Sequence, residues 1–165
     1  MAPRAASYPL LDGRCDEYAA LPHDAFAVAR GVELDVFQDR DYVWLCVGLP
    51  PGDFGAVDLV VATPGLAGPL NLHASAQLGE WPATQPPPAD ASSSTWGNQR
   101  GWSAVTVPFH GTDDAGQVRF SPTPARELQL AKQRFGRGAW RLDLTVHAVS
   151  TIGGDARFAH TLAVW

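Results

Sequence analysis

Cysteine is scarce: Cys15 and Cys46 are the only two in the chain. Two are too few for a disulfide framework, and their spacing fits no zinc motif. They are expected as free thiols in a reducing cytoplasm. Methionine occurs once, at Met1, which removes the His/Met ligation used by some haem proteins. The first ten residues hold no apolar stretch of secretory-signal length, and nowhere do about 18 apolar residues follow one another, so neither a leader nor a transmembrane helix is expected. The localisation that follows is cytoplasmic. Charge is also sparse, at 18% of residues, and the basic ones are the minority, 12 against 17 acidic, for a net charge of −5. Nucleic-acid binders carry the opposite sign, so neither nucleic acid nor a membrane is expected as a partner. Equally absent are the G-x-S-x-G elbow, the P-loop, the G-x-G-x-x-G fingerprint and H-E-x-x-H. No catalytic and no metal-binding residue is assigned by motif. A Cys46–His73 nucleophile pair would have to be assembled in space, and a cysteine in mid-strand reads more simply as a small buried hydrophobe.

Turn formers are in excess. The chain has 16 glycines and 14 prolines in 165 residues, about 18% against roughly 12% on average. The length suits one domain, residues 1–165, with a core of its own. Val32-Glu33-Leu34-Asp35-Val36-Phe37 alternates apolar with polar, the period of a half-buried strand. The turn Gln38-Asp39-Arg40-Asp41 then leads into Tyr42-Val43-Trp44-Leu45-Cys46-Val47, which completes a hairpin. Its Tyr42, Trp44 and Cys46 share one side, and Val43, Leu45 and Val47 the other. Strands are also expected at 57–62, 70–78, 102–107, 118–120, 140–149 and 157–165. In 70–78, Leu70, Leu72, Ala74, Ala76 and Leu78 form one face, opposite Asn71, His73, Ser75 and Gln77. Residues 82–95, with Pro86-Pro87-Pro88 and Ser92-Ser93-Ser94, read as a mobile Pro/Ser-rich surface loop. Residues 125–135 fit either a helix or a strand. About nine strands, one or two short helical turns and no alternation of strand with long helix predict an all-β, jelly-roll-like antiparallel β-sandwich.

Along the chain come Asp12-Gly13-x-x-Asp16-Glu17, the strand Tyr42-Val43-Trp44-Leu45, Trp102, Glu127-Leu128-x-Leu130, Phe135-Gly136 and Trp140-Arg141-Leu142. In this order they resemble the family 9 carbohydrate-binding modules and the wider group of DOMON domains, sandwiches that bind sugars or haem. The resemblance spans most of residues 11–148. Where family members carry Asn in the last of these strands, this chain has Asp143.

The resemblance implies non-catalytic binding of a small carbohydrate or glycan end. Sugar sites need flat apolar rings for C–H faces and planar polar groups for hydroxyls. Trp81, Trp96 and Trp102 would supply the rings, and Asn98, Gln99 and Arg100 the hydrogen bonds. His73 extends the site if its polar face lines a concave sheet. The rival is a protein-interaction or homodimerisation module using the same aromatic surface. The resemblance raises two cofactors, structural calcium and haem. Asp39, Asp41, Asp53, Asp58, Asp113 and Asp114 could offer oxygens to calcium, but their spacing suits solvated turn carboxylates better than a calcium loop. Haem would need a pair from His73, His110, His147 and His160, and is not expected.

Overall fold

The computed structural model describes residues 8–105, 109–120 and 123–165. In chain order, a 3-10 turn (Asp16–Ala20) precedes β1 (Asp24–Ala29), β2 (Val32–Gln38), β3 (Tyr42–Gly48) and β4 (Val57–Ala62). Next come β5 (Leu70–Ala74), β6 (Leu78–Pro82), β7 (Trp102–Ala104), β8 (Phe109–Thr112) and β9 (Val118–Phe120). The chain closes with β10 (Ala125–Ala131), the one-turn helix α1 (Lys132–Phe135), β11 (Gly138–Val149) and β12 (Gly154–Val164). Two five-stranded antiparallel sheets form a sandwich, ordered β1-β2-β3-β10-β7 and β12-β11-β4-β5-β6, while β8 and β9 pair apart from both. No helix among the described residues is long and apolar enough to cross a membrane.

Alternation builds the interior. Val32, Leu34 and Val36 of β2 point inward with Val43, Leu45 and Val47 of β3, and meet Val57, Leu59 and Val61 of β4 and Leu142, Leu144 and Val146 of β11. Trp140 closes one end of this core against Phe135, ring centroids 5.6 Å apart. Each such side chain contributes about 1.5–3 kcal/mol by leaving water. The expected hairpin is β2–β3, and its turn is held by Asp39, whose Oδ1 accepts the Asp41 and Tyr42 N–H groups at 2.9 and 2.8 Å. Such a side-chain-to-backbone contact supplies the partner that a tight turn denies its amides. The outer face of the first sheet carries a smaller cluster, Tyr18, Phe37, Trp44, Cys46 and Ala125.

Two expectations change, an open one is resolved, and one strand is unanticipated. Cys15 and Cys46 are not free thiols: they form a disulfide, Cα atoms 5.8 Å apart. Tyr18, buried in the outer cluster, draws the N-terminal turn across the sheet and so brings Cys15 to Cys46. Residues 70–78 are two strands rather than one, because the chain reverses at Ser75-Ala76-Gln77, closed by Ser75 N–H on Gln77 O at 3.0 Å. Residues 125–135 hold both readings in turn, strand β10 followed by helix α1. Finally, β1 joins the first sheet as an edge strand; its side chains are exposed or half-buried, so it shows no buried stripe. Of the strand expected at 102–107, Thr106 and Val107 lie outside the described residues.

Candidate functional site

Strand register assembles the site on the outer face of the second sheet. Val57, Leu59 and Val61 face the core, so Asp58 between them faces out. It pairs across the strands with His73 of β5, while Asn71 pairs with Trp81 of β6. Trp81 points outward because its neighbour Glu80 points inward, where Glu80 Oε1 accepts the Trp102 indole N–H at 3.0 Å. The loop after β6 then folds back, and a single bridge between Gly79 and Trp96 sets Trp96 beside Trp81. Gly79 allows this approach: a Cβ there would lie 2.9 Å from Thr95 O and 3.0 Å from the Trp96 ring. The result is an open cavity of about 350 Å³, floored by Asp58, Asn71 and His73 and walled by Trp81, Trp96, Ala83, Gln85 and Pro87. That volume falls within the range of small-ligand sites.

The aromatic groups pack on one another. Trp81 and Trp96 meet edge to face at 84° with centroids 5.7 Å apart. His73 stacks near Trp81 at 5.8 Å and meets Trp96 edgewise at 5.3 Å. The Trp96 indole N–H donates to Asp90 O at 3.3 Å, and Asp90 in turn holds the loop through Ser92.

Beneath them runs a polar row across the sheet. Asp58 Oδ1 accepts from His73 Nδ1 at 2.8 Å and from Asn71 Nδ2 at 2.9 Å, and Asp58 Oδ2 accepts from His147 Nε2 at 2.6 Å. His147 Nδ1 donates to Asp155 Oδ2 at 3.1 Å, and His73 Nε2 lies 2.9 Å from Ser75 Oγ. Burial by itself would raise the Asp58 carboxyl, but the hydrogen bonds from His73, Asn71 and His147 outweigh it and bring it to about 2. His147 moves up: burial opposes its charge, and its hydrogen bonds to Asp58 and Asp155 prevail. Among the described residues, no Lys or Arg lines the cavity.

Of the seven residues expected at the site, the structure brings together His73, Trp81 and Trp96. Trp102 is not there: it is 4% exposed, packed in the core between the sheets. Asn98, Gln99 and Arg100 also stay away from the cavity. Arg100 N–H donates to Glu80 Oε1 at 2.8 Å, and its carbonyl accepts from Arg134 Nη1, so this stretch fastens β7 to β6. Asp58, Asn71 and Gln85 replace them as polar lining, with His147 behind Asp58. Alternation in β4 could have shown Asp58 facing outward, but nothing local pairs it with His73.

The other candidate groups are spent elsewhere. Asp39 and Asp113 accept N–H groups of their own turns, and Asp53 accepts the Ser150 N–H at 2.9 Å. Carboxylate oxygens of Asp12, Glu17 and Glu127 do cluster within 4.8 Å of one another. Glu127 is satisfied there by the Asp12 and Gly13 N–H groups and the Tyr18 hydroxyl, which account for its burial without an ion. Both ring nitrogens of His73 and of His147 are engaged, and the His160 ring packs on Phe26 at 4.5 Å. The His110 side chain lies outside the described residues, and Cys46, bonded to Cys15, is no nucleophile. A second concavity of about 470 Å³, between β2 and Trp165, has no such convergence of indole rings and polar groups. No family model, curated protein or solved structure matches the chain.

Proposed function

We propose that the cavity on the second sheet binds a small neutral carbohydrate or a glycan end. The observation that carries the reading is the convergence of two indoles on a floor of planar polar side chains. The indoles offer apolar surface to the C–H face of a sugar ring, and perpendicular walls suit a ring seated in their corner. For hydroxyls, the side chain of Gln85 makes no hydrogen bond among the described residues, and Asn71 donates to Asp58 while its Oδ1 stays open. Asp58 Oδ2 has one partner and room for another. With His147 offsetting Asp58 and no other charge in the lining among the described residues, a neutral ligand fits better than an anionic one.

Burial of the rings favours this reading over the interaction module. A docking face would present its aromatic side chains, whereas Trp81 is 7% exposed and Trp96 is half-buried in a concave wall. The likeness to family 9 modules supports the same ligand class. The Cys15–Cys46 disulfide supports an oxidising compartment rather than the reducing cytoplasm as the place of action.

Titration with a panel of mono- and oligosaccharides, followed by tryptophan fluorescence, tests the proposal. At least one sugar should shift the emission saturably. W81A and W96A should each weaken that binding by about tenfold or more, the loss expected of a central aromatic contact. N98A and R100A should leave it unchanged. Silence across the panel, or binding indifferent to W81A, would overturn the reading.

A further inference from the structure

The polar row beside the cavity holds a contact that sugar binding does not use. A carboxylate only accepts hydrogen bonds, so His73 Nδ1 carries the proton of its 2.8 Å contact with Asp58. The opposite nitrogen, Nε2, then presents a lone pair, and it lies 2.9 Å from Ser75 Oγ. We propose that Ser75, His73 and Asp58 form a nucleophile, base and orienting carboxylate that hydrolyse carboxylic esters, with O-acylated sugars as the substrate class. These are the roles and the reach an activated serine requires: a base within about 2.6–3.2 Å of the hydroxyl, itself oriented by a third group. For the alcohol half of the ester alone, the inference rests on the sugar-binding reading, because His73 and Asp58 also floor that cavity.

The surroundings hold the array in place. The His73 ring is fixed between Trp81 and Trp96. Asp58 is kept ionised by Asn71 and by His147, whose two nitrogens both face carboxylates and so both carry protons. The Ser75 hydroxyl proton has two acceptors, His73 Nε2 at 2.9 Å and Gln77 O at 3.2 Å, and the imidazole is the nearer. Gln77 N–H donates to Ser75 Oγ at 3.2 Å, which steadies charge on that oxygen as it grows. Ala76 N–H, one residue past the nucleophile, donates to nothing among the described residues and is left for an oxyanion.

In the first half-reaction Ser75 Oγ bonds to the ester carbonyl carbon and its proton passes to His73 Nε2. The bond from that carbon to the alcohol oxygen breaks, and the alcohol leaves with the proton from His73. Water then attacks the acyl-Ser75 ester, giving a proton to His73 that returns to Ser75 Oγ, and the carboxylic acid is released.

An alkyl fluorophosphonate, which reacts covalently with activated serines, is the probe. The whole chain is labelled and the adduct is located by peptide mass spectrometry, with thermal melts on every variant. The adduct should sit on Ser75, be absent in S75A, and form about 100-fold more slowly in H73Q. D58N, which keeps the side-chain shape but removes the carboxylate, should slow it comparably and serves if H73Q fails to fold. Wild-type hydrolysis of 4-nitrophenyl acetate should fall to the uncatalysed level in S75A. No adduct, an adduct on another residue, or a labelling rate unchanged in folded H73Q and D58N would overturn the array. Saturable sugar binding without an adduct would discard acyl transfer alone; a His73-dependent adduct without sugar binding would discard the sugar reading alone.

Discussion

Glu127 faces outward from the first sheet under the N-terminal turn, with two backbone N–H groups on Oε1 and the Tyr18 hydroxyl on Oε2. Burial raises its carboxyl, the three hydrogen bonds oppose that without prevailing, and it stands at about 7 in place of 4.5. A carboxyl raised on folding keeps its proton longer in the native state, so it costs stability as pH climbs from 4.5 towards 7. E127Q retains an acceptor for the two N–H groups and offers Tyr18 an amide donor, with no charge to bury. Its Tm should exceed that of the wild type at about pH 8 and converge with it at about pH 4, read from a melt series. His147 adds to the same upper limb. Its pKa is raised above 6.5, so the stability it lends is complete below that value and is lost as pH rises through the folded one. Asp58 sets the lower limb, lowered from 3.8 to about 2, with its contribution fading as pH falls between those values.

Strand β6 serves two sites from adjacent positions, Glu80 inward and Trp81 outward. Glu80 is 7% exposed and pairs with Arg134 at 2.5 Å while also accepting from Trp102 and the Arg100 N–H. R134M would leave that carboxylate buried without its cation. The expected loss is about 3 kcal/mol, or roughly 9 °C in Tm, with much of it recovered in E80Q/R134M because no charge is then stranded. A melt of the wild type and the two variants checks this. The same strand shows how far sequence reaches. Period-two alternation marks β2, and the dense aromatic, aliphatic and β-branched runs of 42–47 and 57–62 mark β3 and β4. Alternation misreads 70–78 because it continues through Ala76 and Leu78, and no Gly, Pro or Asn marks the turn at Ser75-Ala76-Gln77. Nearness in the chain groups Trp102 with Trp96, yet the inward Glu80 captures its indole N–H and turns it into the core. Asp58, His73 and His147 come from three strands, and their meeting depends on register, which composition does not encode.

Across the molecule, the two outer faces differ. The first sheet carries the N-terminal turn, anchored by Glu127, Tyr18 and the Cys15–Cys46 disulfide, and the second carries the cavity proposed to bind a sugar. The disulfide closes a sequence separation of 31 residues, for which constraint of the unfolded chain is worth about 3–4 kcal/mol. C15A/C46A should therefore melt roughly 10 °C lower, while sugar affinity measured below the melt stays within about twofold, because the bond and the cavity lie on opposite sheets. Equal melting temperatures, or affinity lost with the disulfide, would contradict that separation. The most direct test of the account as a whole follows the indole N–H resonances of the six tryptophans by NMR while a binding sugar is titrated. The resonances of Trp81 and Trp96 should move, and those of Trp44, Trp102, Trp140 and Trp165 should stay in place. Movement at Trp102 or Trp165 with Trp81 and Trp96 unchanged would place the ligand elsewhere and contradict the account.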